Sequence, residues 1–274
     1  MNRRAYLGAA GATGLTALAG CLDEVGVLGQ GGDGDTVLDE PSETRGDPTH
    51  PIHGDELPAF EVPDPIRDET ITDERFRDER AVVATFVFTN CPDGACPALL
   101  QRLVHVRQAV HEAGYADEVA FLAFTFDPER DTADVLADYA DAFDVDPTAD
   151  DWYFLRPETP GRAEQVVMED FGLPIERVDP DEIDHDHGDE HDDGEHGDDD
   201  GGSDDDDGEH GDDDDDSDDG EHGNDDGVDL EYTFTHYNLI LLANDAGVVE
   251  RAYPEATAVE PSEIEADALE VLEG

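Results

Sequence analysis

AVVATFVFTNCPDGACPALLQRLVHVRQAV, residues 81–110, is the stretch around which the chain is organised. Ala81 to Phe88 is an unbroken apolar run rich in Val and Phe, the pattern of a buried strand. Thr89 and Asn90 end it, and Cys91, the turn-forming Pro92-Asp93-Gly94, and Cys96 follow. After Pro97 a helical period begins, with Leu99, Leu100, Leu103, Val106 and Val110 on one face. Proline is favoured at the first position of a helix, where its missing N–H would be unpaired anyway. That predicts a helix starting at Pro97, with Cys96 at or near its N-cap and Cys91 across the preceding loop. The dipoles and free N–H groups of a helix start favour an anion and so raise the thiolate fraction of a nearby cysteine. Two thiols on such a turn can exchange as dithiol and disulfide, or bind a soft metal ion.

Reading outward, Val119 to Phe126 (VAFLAFTF) is a second continuous apolar run. Strand, helix, strand in this order implies a right-handed parallel crossover with both strands buried. A helix over Thr132 to Phe143, a short strand over Trp152 to Leu155 and a helix over Arg162 to Phe171 continue the α/β alternation. Upstream, Leu57 to Phe76 reads as short extended pieces, a hairpin before the first core strand. Downstream, His236 stands just before a strand over Leu239 to Ala243, an Asn244-Asp245-Ala246-Gly247 turn leads to an antiparallel return over Val248 to Tyr253, and Glu263 to Leu272 closes as a helix. Asp127 and Asp131 in the DPERD segment read either as metal carboxylates or as a helix-starting turn that pairs with Arg130.

The amino terminus reads as a targeting segment. Arg3-Arg4 precede an aromatic and a leucine, as in twin-arginine export signals, and Leu18-Ala19-Gly20-Cys21 looks like a lipobox. The apolar run between is short of the ~20 residues that span a bilayer. The expectation is export, cleavage before Cys21, lipid attachment there, and residence on the extracytoplasmic face of the membrane; an ordinary cleaved signal peptide is the alternative. Residues 22–55 then form a flexible tether.

The chain has no lysine and a formal net charge of −62, which excludes general nucleic-acid binding and suits a protein adapted to very high salt. Of its three cysteines, Cys21 is assigned to lipid, leaving Cys91 and Cys96 as a functional pair rather than a disulfide framework. Residues 179–228 are almost entirely Asp, Glu, Gly and His and can bury no apolar area, so a disordered insertion is expected. Its His185, His187, His191, His196, His210 and His222 form either a weak auxiliary collector of borderline metal ions or part of a loop that only solvates the protein.

The segment TFVFTNCPDGACPALL resembles the strand, CPxxCP loop and helix of the SCO/SenC family, thioredoxin-like copper proteins that serve assembly of cytochrome c oxidase. DPERD, FDVDP and HYNLILLANDAG extend the resemblance over roughly residues 57–178 and 229–272. It implies a thioredoxin-like fold, a mixed central sheet flanked by helices, built from residues 56–178 and 229–274. It implies copper held as Cu(I) or Cu(II) by Cys91, Cys96 and His236, and the copper-accepting subunit of cytochrome c oxidase as partner. Two thiolates and an imidazole suit copper chemically, though zinc also accepts them. Three features depart from the family: four residues rather than three separate the cysteines, Thr235 replaces the usual Asp before the histidine, and the acidic insertion is extra. Two functions from different classes follow: a membrane-anchored copper metallochaperone, and an extracytoplasmic thiol–disulfide oxidoreductase in which Cys91 and Cys96 are the redox pair. A peroxide-reducing enzyme is a weaker third.

Overall fold

The computed structural model describes residues 36–42, 46, 48–179 and 231–274. In chain order the elements are β1 (Glu61–Asp64), β2 (Glu69–Thr72), β3 (Ala81–Val87), α1 (Ala95–Ala113), β4 (Val119–Thr125), α2 (Ala133–Asp141), β5 (Trp152–Leu155) and α3 (Pro160–Glu164). There follow a π-helical turn over Gln165–Asp170, β6 (Ile175–Val178), β7 (Thr233–His236), β8 (Leu239–Ala243), β9 (Val249–Pro254) and α4 (Pro261–Glu273). Cys21 and the six insertion histidines, His185, His187, His191, His196, His210 and His222, lie outside the described residues.

The two long apolar runs become the inner strands of a five-stranded mixed sheet, ordered β5-β4-β3-β8-β9. β3 and β4 pair in parallel from Ala81 opposite Val119 to Val87 opposite Thr125. Every residue of both strands is buried, which is why neither shows the alternation of a half-exposed strand. β5 extends the parallel part, while β8 and β9 add antiparallel pairs on the other side. Phe86, Phe124 and Phe171 cluster within the core, with ring centroids 5.0–5.3 Å apart. This is the thioredoxin-like arrangement that the family resemblance implied. Among the described residues no helix is long and apolar enough to cross a membrane.

Three details differ from the sequence reading. First, α1 begins at Ala95, two residues ahead of Pro97, because side chains of the loop take up its leading N–H groups. Second, β6, absent from the sequence reading, pairs antiparallel with β7, so the strand ending in His236 belongs to a separate two-stranded sheet. Third, the expected tether is docked in its described part. Leu38 is buried in the core, and the Val37 and Leu38 N–H groups donate to the buried carboxylate of Glu250 at 2.9–3.0 Å.

Candidate metal centre

β3 ends at the loop that carries Cys91, and Gly94 turns that loop into α1. Gly94 has φ +74°, a left-handed conformation that glycine adopts at least cost. The first orphan N–H groups of α1 are satisfied locally. Ala95 N–H donates to Asp93 Oδ1 at 2.9 Å, and Cys96 N–H donates to Cys91 Sγ at 3.3 Å. Cys96 is fully buried and its sulfur accepts the Phe88 N–H at 3.4 Å, while Cys91 is partly exposed.

β7 brings His236 to the same place. Its Nε2 lies 3.8 Å from Cys91 Sγ and 3.7 Å from Cys96 Sγ. Among the described residues this is the only group of three or more His, Cys, Asp or Glu side chains arranged to hold a metal ion, with all three ligand atoms within 4.8 Å of one another. Bond lengths of about 2.3 Å to sulfur and about 2.0 Å to nitrogen, as zinc shows, would place S and N about 3.7 Å apart in a trigonal site. The two observed sulfur–nitrogen separations match that spacing.

The pocket is apolar behind the ligands. Phe88 and Phe126 lie against the His236 ring at centroid distances of 5.5 and 5.4 Å, and Phe234 packs on both phenylalanines. His236 Nδ1 is buried and has no hydrogen-bond partner. The preceding Thr235 is exposed and supplies none, so no acceptor fixes the ring's tautomer from behind. Ring orientation therefore rests on packing.

The two sulfurs differ in acidity. Interaction with the Cys96 side chain is the main cause that brings the Cys91 thiol down to about 6; His236 and the Cys96 N–H assist, and burial and Asp93 oppose. Burial, followed by interaction with the Cys91 side chain and then its charge, pushes the Cys96 thiol far above the ordinary range. The first proton to leave the pair is that of Cys91. Asp93 is the site residue that the sequence reading missed, since Pro-Asp-Gly was read only as a turn. Partial burial works against its ionisation, but the Cys91 thiol (2.9 Å) and the Ala95 N–H donate to it and hold it below the usual carboxylate value. An Asp just before a helix is the signal that could have revealed it.

Asp127 and Asp131 take structural roles. Asp127 pairs with Arg130, and Asp131 accepts from the Thr89 N–H and from the hydroxyls of Thr89 and Thr125, tying the end of β3 to the start of α2. Burial raises the Asp131 carboxyl to about 6 against those hydrogen bonds.

The SCO1/SenC family model matches residues 55–190, which include the cysteine loop. The domain belongs to the SCO1/SenC family. The matched span ends inside the acidic insertion, so the placement of His236 rests on geometry. Among solved structures, copper-bound ScoI of Arabidopsis thaliana is similar at 14% identity and a TM-score of 0.50, covering 81% of this chain and 98% of that one. Yeast Sco1 is 16% identical at a TM-score of 0.50 over 81% and 98%. BsSco, described as a member of the Sco family of cytochrome c oxidase assembly proteins with a disulfide switch, is 16% identical at 0.51 over 83% and 96%. At these identities the likeness establishes the fold. A search of curated sequences returns no match.

Proposed function

We propose that this SCO1/SenC-family protein is a copper metallochaperone for assembly of the copper site of cytochrome c oxidase. It would act on the extracytoplasmic face of the membrane through a lipid on Cys21. The convergence of Cys91 Sγ, Cys96 Sγ and His236 Nε2 carries this reading. A soft-to-borderline donor set of two sulfurs and one imidazole selects copper over hard cations. Cys96 and His236 form the inner part of the site, and the partly exposed Cys91 is the ligand that an incoming thiolate of the oxidase subunit displaces first.

The unequal thiols favour a second reading on the same residues, thiol–disulfide exchange. The Cys91 thiolate attacks a partner disulfide, forming a mixed disulfide and releasing one partner thiolate. Cys96, losing its proton, then attacks the Cys91 sulfur and releases the second. Two electrons pass to the partner, and Cys91–Cys96 is left oxidised.

The test is an anaerobic copper titration of the reduced protein in molar salt, with a competing chelator fixing free copper. One tight equivalent is expected, lost in Cys91→Ser/Cys96→Ser and weakened at least tenfold in His236→Ala, which should still cycle its disulfide. Full copper affinity in His236→Ala would overturn the ligand set.

A further inference from the structure

A cluster behind the metal centre is unused by the chemistry above. Tyr232, the residue before β7, is buried between two guanidinium groups, with Arg130 Cζ 3.8 Å and Arg177 Cζ 3.4 Å from its ring centroid. Its hydroxyl donates to Asp127 Oδ1 at 2.8 Å, its carbonyl accepts from Arg130 Nη1 at 2.8 Å, and Arg130 also pairs with Asp127. Arg177 is held in turn by Glu129 at 2.8 Å. The DPER segment and β6 thus grip one aromatic ring from both faces and at its hydroxyl.

The place of this grip gives it a role. β6 and β7 share only four residue pairs, from Ile175 opposite His236 to Val178 opposite Thr233. A two-stranded ribbon of that length is marginal alone. Its connection runs from residue 179 to residue 231 through a sequence with almost nothing apolar to hold its ends together, and loop-closure entropy grows with length. Tyr232 sits at the end of the ribbon facing that connection. From it an aromatic series leads inward: Tyr232 meets Phe234 edge-on at 5.7 Å, Phe234 meets Phe88 and Phe126 at 5.4 and 5.3 Å, and those two flank His236. With Nδ1 unpartnered, nothing else fixes the ring from behind.

We infer that Tyr232, clamped by Arg130, Arg177 and Asp127, is the positioning residue that holds β7 in register and so keeps His236 against the two cysteine sulfurs. As a statement about copper binding this rests on the proposed function; as a statement about β7 it does not.

The experiment therefore reads both. In metal-free protein, amide hydrogen exchange is compared for the wild type, Tyr232→Leu and Tyr232→Phe, each with and without deletion of residues 182–226. Tyr232→Leu should speed exchange in β7 at least tenfold while β3, β4 and β8 keep their protection. Tyr232→Phe, which keeps the stacked ring, should recover most of it. Deleting 182–226 should shrink the effect of Tyr232→Leu, because a short connection holds the ribbon closed without the clamp. In the copper titration Tyr232→Leu should move toward the affinity of His236→Ala and lose the imidazole nitrogen couplings of the Cu(II) spectrum while sulfur ligation persists. Unchanged β7 exchange in Tyr232→Leu would overturn the inference, as would equal acceleration across β3 and β8, which would make Tyr232 a residue of the general core. If the wild type binds no copper, the proposed function falls while the exchange data still decide the clamp.

Discussion

Cys91 and Cys96 are five residues apart and chemically unlike, because the Cys96 side chain favours the charge on a partly exposed Cys91 sulfur while the Cys96 sulfur is fully buried. That asymmetry is measurable. Iodoacetamide should modify Cys91 of the reduced protein with a half-maximal rate near pH 6, against 9.0 for an ordinary thiol, and leave Cys96 unmodified through the neutral range. The linked stability has a definite sign. The folded pKa of Cys91 lies below its unfolded value, so this group's contribution is complete above about pH 9 and is lost as pH falls from 9 toward 6. Cys91→Ser should flatten that part of the melting profile. A Cys91 that alkylates with a midpoint near 9 would show that Cys96 and His236 do not act on it as the geometry requires.

At the scale of elements, the strand, cysteine loop and helix were legible because each obeys a local rule: an apolar run, a Pro-Asp-Gly turn, a 3.6-residue period. The start of α1 was misread by two residues because its first N–H groups are satisfied by Asp93 and Cys91, a tertiary solution that Pro97 does not announce. β6 was illegible because Ile-Glu-Arg-Val has no strong pattern and its partner is more than fifty residues away in sequence. Between the two cysteines the chain turns into α1 at Gly94, with φ +74°. A Cβ there would meet no atom within 4 Å, so only the backbone resists substitution. Gly94→Ala should therefore lower stability by about 1–2 kcal/mol through left-handed strain, with Gly94→Asn losing less. Because the strain falls between the ligands, Gly94→Ala should also raise the Cys91 alkylation midpoint. Equal melting temperatures for the Ala and Asn variants would count against the positive-φ account.

For the molecule as a whole, the described amino-terminal segment is part of the fold although it carries no periodicity. It docks through backbone N–H groups on a carboxylate rather than through a patterned face, and sequence periodicity is blind to that. Glu250 is fully buried and accepts from Val37, Leu38 and Asn244 Nδ2, so it depends on residues more than two hundred positions away. A chain beginning at residue 48 loses both N–H donors and the buried Leu38 side chain. It should be less stable than one beginning at residue 31 by about 3 kcal/mol, a Tm fall of roughly 6–12 °C, measured in molar salt to screen the acidic surface. Glu250→Gln separates this from a nonspecific truncation effect. In the longer chain the new amide must turn an N–H toward donors, so the variant should destabilise. In the shorter chain the same change removes an undersatisfied buried charge and should be neutral or stabilising. A reversal of sign between the two backgrounds would locate the coupling at Glu250. The same loss in both would mean that the segment is held by its apolar contact alone, and that Glu250 serves only its own strand and Asn244.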